Sequence, residues 1–273
     1  MSTGKALIAC VQMNSTDSVR DNLSRVEHWV KQSADAGAKL VILPESFAFM
    51  GKTMVLQHEY AEMYGNGPIQ TALQNMAKQY AIWIVAGTLS LRVDQSDKLA
   101  AACLVYDDQG VEVVRYDKIH LFDVDVPDTE ETYLESSVYR PGNQVVVIDS
   151  PVGKLGIAIC YDVRFPELFR QQLEQGMQVL ALPAAFTHAT GLAHWHTLLR
   201  ARAIENLCFV AAAAQTGVHV GERKTYGHSI AYNAWGEVLG GLAEEEGFAL
   251  AEIDLASQQQ LRSQFPALNN RRL

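Results

Sequence analysis

The sequence predicts an α/β fold built on mixed β-sheets, in which some neighbouring strands run parallel and others antiparallel. Apolar strand-like runs alternate with amphipathic helical segments along nearly all of the 273 residues. Some consecutive strands are separated by a helix, whereas others are joined by a short turn. Because helical crossovers connect parallel strands and hairpins connect antiparallel ones, both kinds of pairing are expected. Several strands are apolar throughout, which predicts sheets covered on both faces.

In the first half of the chain, the clearest helix follows the first strand. Ser18 and its neighbour Asp17 supply a capping pair. Apolar residues then recur at helical spacing from Val19 to Val30, and Gly37 ends the run. The other predicted elements of this half are strands at 6–13, 39–45 and 82–87, a helix at about 69–76, and a hairpin of strands at 101–107 and 111–118.

The second half continues this alternation with a further hairpin and two helices. Pro166 opens one helix, because proline is favoured in a first turn, and Gly176 ends it. No Ser- or Pro-rich linker and no low-complexity tract interrupts the chain, which predicts a single domain over residues 1–273. The predicted elements are strands at 144–149, 154–160, 179–185, 208–215, 228–233 and 248–255, and helices at 166–176 and 194–206.

The composition is that of a globular protein with an acidic surface. Apolar residues make up 48% of the chain and charged residues 19%, enough for a sizeable core. Lys and Arg number 22 against 31 Asp and Glu, a net charge of −9. Neither nucleic acid nor an anionic membrane is therefore expected as a partner. No apolar run approaches the roughly 18 to 20 residues that span a bilayer, and because a strand-like pattern begins almost at once, no signal or transit peptide is expected.

The four cysteines predict a cytoplasmic protein with reduced thiols. They lie far apart and mostly in apolar runs, at Cys10, Cys103, Cys160 and Cys208. No CxxC pair occurs in the sequence, and no Cys and His residues have the spacing of a zinc site. The histidines form no HExxH motif, so neither a metal nor a cofactor is expected.

Three predicted strands end in residues that can carry chemistry, namely Glu45, Lys118 and Cys160. Catalytic groups collect at the carboxyl ends of strands in α/β sheets, so their coincidence favours a shared site. Each residue also has an ordinary structural interpretation: Glu45 as a loop residue or helix cap, Lys118 as an exposed lysine, and Cys160 as a packed small hydrophobe. His120 offers a Cys–His dyad as a second choice, although a histidine between Ile and Leu is more often a hydrogen-bonded core residue.

Together these three residues supply what attack on an amide carbonyl requires. A thiolate can add to the carbonyl carbon, and a carboxylate can take the thiol proton, pass it to the leaving amine and later activate water. A fixed cation, with a backbone N–H group, can stabilise the developing oxyanion. Because a nearby cation lowers a thiol pKa and a carboxylate raises it, the sequence leaves the direction of the Cys160 pKa shift open.

The segments "LPES", "DKIHLFDVD" and "AICYDVRFPEL" resemble the Glu, Lys and Cys motifs of the nitrilase, or carbon–nitrogen hydrolase, superfamily. The resemblance extends from "ALIACVQMNSTDSVRDNL" to "ALAEIDL". It implies a four-layer α-β-β-α sandwich of two mixed sheets, and a triad of Glu45 as general base, Lys118 as oxyanion-stabilising cation or proton donor, and Cys160 as nucleophile. It also implies that Glu135 orients Lys118 and the substrate, although this carboxylate can equally be a surface loop residue.

Within that superfamily, the segments at 185–206, 208–219 and 224–236 look most like those of deaminated-glutathione amidases. This resemblance implies hydrolysis of an anionic amide to 2-oxoglutarate and cysteinylglycine, and a homodimer. A substrate with carboxylates needs donors in its pocket. The candidate substrate-binding residues are Tyr161 through its backbone N–H group, Arg164, Thr187 and Thr190.

Several alternatives stay open at this point. Arg164 is more readily explained as an ion-pair partner of Asp162 or Glu167 than as a substrate ligand. The same triad serves an ω-amidase acting on 2-oxoglutaramate, an N-carbamoyl hydrolase or a nitrilase. A catalytically inactive scaffold is disfavoured because the three motif residues are intact. A thiol-redox protein is disfavoured because no resolving cysteine lies near Cys160 in the sequence.

Overall fold

Two mixed β-sheets form the centre of the structure, a computed structural model that describes residues 4–127 and 131–272. The strands of the first half are β1 (Lys5–Gln12), β2 (Ala38–Ile42), β3 (Trp83–Val85), β4 (Leu89–Arg92), β5 (Leu99–Tyr106), β6 (Glu112–Asp117), β7 (Asp123–Asp125) and β8 (Thr132–Leu134). Those of the second half are β9 (Val147–Ser150), β10 (Gly153–Ile157), β11 (Val179–Ala184), β12 (Phe209–Ala214), β13 (Thr216–Val218), β14 (Lys224–Tyr226), β15 (Ile230–Tyr232), β16 (Val238–Gly241) and β17 (Gly247–Asp254).

The helices flank these sheets, and short 3₁₀ turns lie in the connections. The α-helices are α1 (Val19–Asp35), α2 (Gln57–Tyr60), α3 (Pro68–Tyr80), α4 (Pro166–Glu174), α5 (His188–Asn206) and α6 (Leu255–Gln264). The 3₁₀ turns span Met54–Leu56, Glu135–Ser137, Cys160–Arg164 and Ala267–Asn270. None of the helices in the described residues is both long enough and apolar enough to cross a membrane.

The pairing of the strands confirms the predicted mixture of parallel and antiparallel neighbours. The first sheet has seven strands in the order β17-β1-β2-β3-β5-β4, with β6 also paired to β5. Within it β1, β2 and β3 run parallel, and the outer pairs are antiparallel. The second sheet has six strands in the order β16-β15-β12-β11-β10-β9, with β10, β11 and β12 parallel. Both sheets therefore have a parallel centre and antiparallel edges.

Alternation along the strands divides the core into layers. On β1, Ile8 and Cys10 pack with the second sheet, whereas Ala9 and Val11 pack with α1 and α3. Successive strand residues point to opposite faces, so the first sheet buries one face on helices and the other on its partner sheet. The far side of the second sheet is covered by α4 and α5, and Phe169 of α4 is fully buried. The result is the four-layer α-β-β-α arrangement.

One difference from the predicted elements bears directly on the site, the start of α5; α6 (Leu255–Gln264) is a further element that the sequence analysis did not predict. The periodicity predicts a helix from residue 194, but α5 begins at His188. Thr187 caps it, because its side chain accepts a hydrogen bond from the N–H group of Thr190. The early turns contain Gly191 and show little amphipathic pattern, so the apolar periodicity did not mark them. This extension places the helix start beside the site described next.

Candidate active site

A buried lysine held between two carboxylates forms the centre of the candidate site. Lys118 Nζ lies 2.8 Å from Glu45 Oε1, and 3.0 and 2.8 Å from the two carboxylate oxygens of Glu135. All three residues are less than 9% exposed. Charges this far from water persist only when they are paired and hydrogen-bonded, and here each one is. The structure thus brings together Glu45, Lys118 and Glu135, three of the predicted site residues.

Glu45 lies just beyond β2, in a segment fixed by its backbone. The Glu45 carbonyl accepts a hydrogen bond from Gln215 Nε2 at 3.0 Å, and the next N–H group, of Ser46, donates to Thr88 Oγ1 at 2.8 Å. The carboxylate itself accepts the N–H group of Ala185 at 2.8 Å through Oε2. One carboxylate oxygen therefore faces the backbone after β11, and the other faces Lys118.

Lys118 and Glu135 are positioned by short backbone hydrogen bonds. Lys118 follows β6, and its N–H group donates to the carbonyl of Ala101 at 2.9 Å. The Lys118 carbonyl accepts from Gly142 at 2.8 Å, where a Cβ atom would lie 2.1 Å from the carbonyl oxygen of Asp117. Glu135 starts a 3₁₀ turn, and its carboxylate accepts the N–H group of Phe122 at 2.6 Å. Both side chains are therefore held by their own loops as well as by each other.

Cys160 opens a 3₁₀ turn directly after β10 and adopts a backbone conformation that L-residues rarely use. Its φ is +48°, in the left-handed region. The side chain is 7% exposed and contacts both Glu45 and Lys118 electrostatically. Non-glycine residues in this region persist only where the surroundings hold them, as they are held at functional sites. The turn therefore directs the sulfur toward the carboxylate and the ammonium.

Asp162, a fully buried carboxylate two residues later, holds this turn. Its Oδ2 accepts hydrogen bonds from the N–H group of Ile159 at 2.9 Å and from the hydroxyl of Tyr116 at 2.7 Å. Its Oδ1 accepts the N–H group of His120 at 3.0 Å and lies 2.7 Å from His120 Nδ1. The carboxylate thus joins the Cys160 turn to the segment on both sides of Lys118.

His120, the second choice for a partner of Cys160, is placed elsewhere. Besides its contact with Asp162, its ring stacks on Phe165 with the ring centres 3.7 Å apart. It is not among the residues that line the pocket around Cys160. The structure places Glu45, rather than this histidine, beside the thiol.

Burial and mutual charge set the protonation of the four central groups. Burial and the charge of Glu45 raise the pKa of the Cys160 thiol well above its ordinary 9.0, although Lys118 opposes them. Burial acts to raise the pKa of Glu45, but the charge and hydrogen bond of Lys118 reverse this and leave it below 4.5. Burial, opposed by Lys118 and reinforced by the charge of Glu45, raises the pKa of Glu135 above 4.5. Burial acts to lower the pKa of Lys118, but the two carboxylates raise it well above 10.5.

These groups open onto a pocket whose lining encloses about 790 Å³ of space, part of which is continuous with bulk solvent. Of the predicted substrate-binding residues, Tyr161, Thr187 and Thr190 line the pocket. The other lining residues are Glu45, Ser46, Met50, Gly51, Thr53, Met54, Gln57, Thr88, Ala101, Lys118, Phe122, Tyr133, Glu135, Tyr139, Cys160, Ala185, Phe186 and Arg223.

Arg164, the remaining predicted substrate-binding residue, is not among the residues that line the pocket. Its guanidinium carbon is 5.8 Å from the ring centre of Tyr161 and 5.4 Å from that of Phe186. Its Nη1 lies 3.3 Å from Nδ1 of the exposed His194. Asp162, one of the ion-pair partners expected from the sequence, instead accepts hydrogen bonds from Ile159, Tyr116 and His120. Arg164 therefore contacts two aromatic residues of the pocket lining without lining the pocket itself.

The sequence analysis missed Arg223, the second cation of the pocket lining. It lies in the loop before β14, and its Nη2 donates to the carbonyl of Ala185 at 3.0 Å. No motif marks this residue, and its place depends on how the β13–β14 hairpin packs against the segment before α5. Within residues 4–127 and 131–272, no group of three or more His, Cys, Asp or Glu side chains is arranged to hold a metal ion.

The chain is similar to known proteins along almost its whole length. A family model described as Carbon-nitrogen hydrolase matches residues 7–263. The deaminated glutathione amidase of Yersinia enterocolitica is 41% identical over 268 residues, which cover 98% of this chain and 93% of the relative. The deaminated glutathione amidase of Synechocystis sp. is 42% identical over 272 residues, 97% of each chain.

A solved structure has the same fold along the whole length of this chain. The crystal structure of the NitFhit protein of Caenorhabditis elegans superposes with a TM-score of 0.93 at 38% identity. The match covers 100% of this chain and 66% of that one, so this chain spans about two thirds of the length of the fusion protein. The layers described above are therefore those of a solved relative.

Proposed function

The chain belongs to the carbon–nitrogen hydrolase family, and on this premise we propose that it is a cysteine-dependent amidase that hydrolyses deaminated glutathione to 2-oxoglutarate and cysteinylglycine. The observation that supports the chemistry is the placement of Cys160 beside Glu45 and Lys118 in one pocket. The substrate is supported by the activity for which the Yersinia and Synechocystis relatives are named.

In the first step, Cys160 acts as nucleophile and Glu45 as general base. The sulfur adds to the carbonyl carbon of the substrate amide while the Glu45 carboxylate accepts the thiol proton. The carbonyl π electrons move to oxygen, and the Lys118 ammonium together with the Tyr161 N–H group stabilises the oxyanion. When Glu45 becomes neutral, Lys118 loses one of its two counter-charges at the moment when the oxyanion forms. The positive charge of Lys118 is thus least compensated when the reaction needs it.

The remaining steps return the proton and release the acid. Glu45 donates its proton to the amide nitrogen, the C–N bond breaks, and cysteinylglycine leaves with its amine intact. The acyl group stays on Cys160 as a thioester. Glu45 then takes a proton from water, the oxygen adds to the thioester carbon, and collapse expels the sulfur, which is reprotonated. Glu135, which contacts no reacting atom in this scheme, keeps Lys118 in position.

The raised pKa of Cys160 requires the base to act during attack. Because burial and Glu45 keep the thiol protonated at neutral pH, no thiolate is stored in the free enzyme. The lowered pKa of Glu45 keeps that carboxylate ionised and ready to accept the proton. The resting pair is therefore a neutral thiol beside an ionised carboxylate, the arrangement that the first step begins from.

We also propose a single-domain, cytoplasmic homodimer. The family model covers most of the chain as one unit, and the four cysteines are free and buried. Exposed apolar side chains on α5 and in the turn before β16 support the dimer: Leu192 is 69% exposed, Ile204 46% and Trp235 54%. Size-exclusion chromatography with light scattering tests the dimer, since a monomer has a mass of 30.1 kDa.

A coupled assay for 2-oxoglutarate tests the proposed activity. Deaminated glutathione and 2-oxoglutaramate are compared side by side, with Cys160→Ala as the control. We expect a clear preference in kcat/KM for deaminated glutathione and no turnover by the variant. A preference for 2-oxoglutaramate would make the enzyme an ω-amidase, and turnover of neither compound would refute the assigned substrate.

A further inference from the structure

Arg223 brings a positive charge to the catalytic pocket that no carboxylate among residues 4–127 and 131–272 neutralises in an ion pair. The lining contains two carboxylates and two cations, and Lys118 contacts both carboxylates. Arg223 instead donates to the backbone carbonyl of Ala185 at 3.0 Å and lies over the ring of Tyr133, 5.2 Å from its centre. Within the part of the chain that the structure describes, no Asp or Glu forms an ion pair with it. The proposed bond cleavage uses Lys118 but not Arg223, so the positive charge of Arg223 is available to a ligand.

The guanidinium is also incompletely hydrogen-bonded. Arg223 is half-buried, and its buried Nε atom has no hydrogen-bond partner among the residues that the structure describes. A guanidinium offers five N–H groups in a planar fork that matches the two oxygens of a carboxylate. A buried donor without a partner is costly, and the cost disappears when a ligand supplies the acceptor. These are the properties expected of a site for a substrate carboxylate.

The position of Arg223 relates this site to the reacting bond. Ala185 joins the two, because its N–H group donates to Glu45 and its carbonyl accepts from Arg223. The guanidinium and the general base are thus hydrogen-bonded to the same residue, and the charge of Arg223 also lowers the pKa of Glu45. In a 2-oxoglutaramyl amide, only a short carbon chain separates the amide carbonyl from the carboxylate of the 2-oxo acid. The glycine carboxylate lies at the far end of the leaving dipeptide.

We propose that Arg223 binds the carboxylate of the 2-oxo acid half of the substrate and thereby selects amides whose acyl group ends in an anion. This assignment rests on the proposed function, whose substrate it deepens. It gives Arg223 a role in specificity rather than in bond cleavage. The residue is fixed for this role by the β13–β14 hairpin, because the N–H group of Tyr226 donates to the carbonyl of Phe186 at 3.0 Å.

The test compares Arg223→Gln and Arg223→Lys with Lys224→Gln, which removes an equal charge from the exposed neighbouring position. Substrates are deaminated glutathione and 4-oxopentanamide, in which a methyl group replaces the carboxylate of 2-oxoglutaramate. We expect Arg223→Gln to lower kcat/KM for deaminated glutathione by at least about 30-fold, mainly through KM, because a charge-assisted pair is lost. Arg223→Lys should recover part of this loss, and Lys224→Gln should match the wild type. Activity on 4-oxopentanamide should change less than threefold.

Equal losses on both substrates would overturn the assignment, and so would a loss below threefold on deaminated glutathione. Deaminated glutathione with an amidated glycine carboxylate supplies a further arm. If this compound escapes the effect of Arg223→Gln, the residue binds the other carboxylate and the proposal is wrong. Arg164→Gln is assayed in parallel, and a carboxylate-specific loss there with none at Arg223 would transfer the role to Arg164.

Binding of 2-oxoglutarate separates this inference from the proposed function. Calorimetry on Cys160→Ala and on Cys160→Ala with Arg223→Gln measures affinity without turnover. We expect at least about 30-fold weaker binding in the double variant. A wild type that hydrolyses deaminated glutathione while the two affinities agree would refute only the role of Arg223. A wild type without amidase activity whose 2-oxoglutarate binding depends on Arg223 would refute only the proposed function.

Discussion

Cys160 and Cys208 are both buried cysteines at the edge of an apolar run, yet their surroundings differ. Burial raises the pKa of Cys208 to about 12, and burial with the charge of Glu45 raises that of Cys160 well above 9.0. The sulfur of Cys208 donates to the carbonyl of Arg202 at 3.7 Å and packs in the core between a helix and a sheet. The sulfur of Cys160 meets a carboxylate and an ammonium at the edge of a pocket.

The comparison shows that the acidity of the resting thiol does not identify the nucleophile. Both thiols stay protonated at neutral pH, because both are removed from water. Only Cys160 has a proton acceptor beside it and open space in front of it. Activation therefore depends on Glu45 and Lys118, which follow other strands, and the predictions below test the nucleophile, its surroundings and, for contrast, Cys208.

The largest effect is expected from removal of the nucleophile. Cys160→Ala deletes the sulfur that forms the thioester, so kcat/KM should fall by at least about 10⁴-fold. The coupled 2-oxoglutarate assay measures the activity, and circular dichroism with thermal unfolding checks that the variant is folded. Wild-type turnover by a folded Cys160→Ala protein would show that another residue attacks the amide.

The second-largest effect on activity is expected from Glu45→Gln, which removes the general base but keeps the shape of its side chain. Glu45→Gln keeps one acceptor oxygen, which can serve the Ala185 N–H group or Lys118 but not both, and its amide cannot take a proton. General base catalysis contributes about 10²- to 10⁴-fold, so a loss of that size in kcat is expected. Glu59→Gln, on an exposed part of α2, removes an equal charge and serves as the control. A loss below tenfold in Glu45→Gln would contradict the assignment of the base.

The pH dependence follows from the same two groups. The active form has Glu45 ionised and Cys160 protonated; the pKa of the first is lowered below 4.5 and that of the second is raised above 9.0. Activity should therefore stay level across neutral pH and fall about tenfold per pH unit as the pH drops below the lowered pKa of Glu45. Measuring kcat/KM from initial rates at pH values from about 3 upward tests this. An acid limb centred above 4.5 would assign the limb to Glu135, whose pKa is raised.

The sequence predicts the arrangement of strands better than the contacts at their ends. Mixed pairing follows from helices and hairpins that are local in sequence, and the structure confirms it. The segments that carry Glu45, Lys118 and Cys160 stand out because a charged or reactive residue after an apolar strand is visible without any partner. In the structure each of these residues lies just past its strand, in a turn whose geometry the apolar run does not encode.

What the sequence did not predict depends on long-range contacts. Asp162 was considered as a partner of Arg164, but it accepts hydrogen bonds from Tyr116 and His120, more than 40 residues away. Arg223 reaches the pocket because a hairpin packs beside the segment that contains Ala185. Such pairings are set by how the two sheets and their loops meet in space, and no local spacing encodes them.

A smaller effect is expected from the carboxylate that holds the Cys160 turn. In Asp162→Asn an amide NH2 group replaces one carboxylate oxygen and cannot accept the hydrogen bonds that this oxygen received. We expect the free energy of unfolding to fall by about 1.5–3 kcal/mol. A misplaced sulfur should lower kcat by about tenfold with KM little changed. Urea unfolding and kinetics at low temperature, where the variant stays folded, separate the two effects. Tyr116→Phe, which removes one of these hydrogen bonds, serves as the milder comparison and should cost about 1 kcal/mol.

Unchanged kcat in a measurably destabilised Asp162→Asn protein would contradict a positioning role. In that case the carboxylate would only join two loops, and the geometry of Cys160 would be set by β10 and α4. Conversely, a lower kcat with an unaltered pH profile would place the effect in geometry rather than in the protonation of Glu45. The residue thus tests whether the surroundings of Cys160 extend beyond the groups that touch it.

The smallest effect on catalysis is expected from Cys208→Ala. The sulfur of Cys208 is fully buried, so its removal leaves a small cavity and should lower the free energy of unfolding by about 1–2 kcal/mol. Because Cys208 is not among the residues that line the catalytic pocket and its sulfur donates to a backbone carbonyl instead, kcat/KM should stay within twofold. Urea unfolding and the coupled assay measure the two quantities on the same preparation. A large loss of activity at unchanged stability would mean that a buried thiol contributes to turnover without the surroundings of Cys160, and the contrast between the two cysteines would fail.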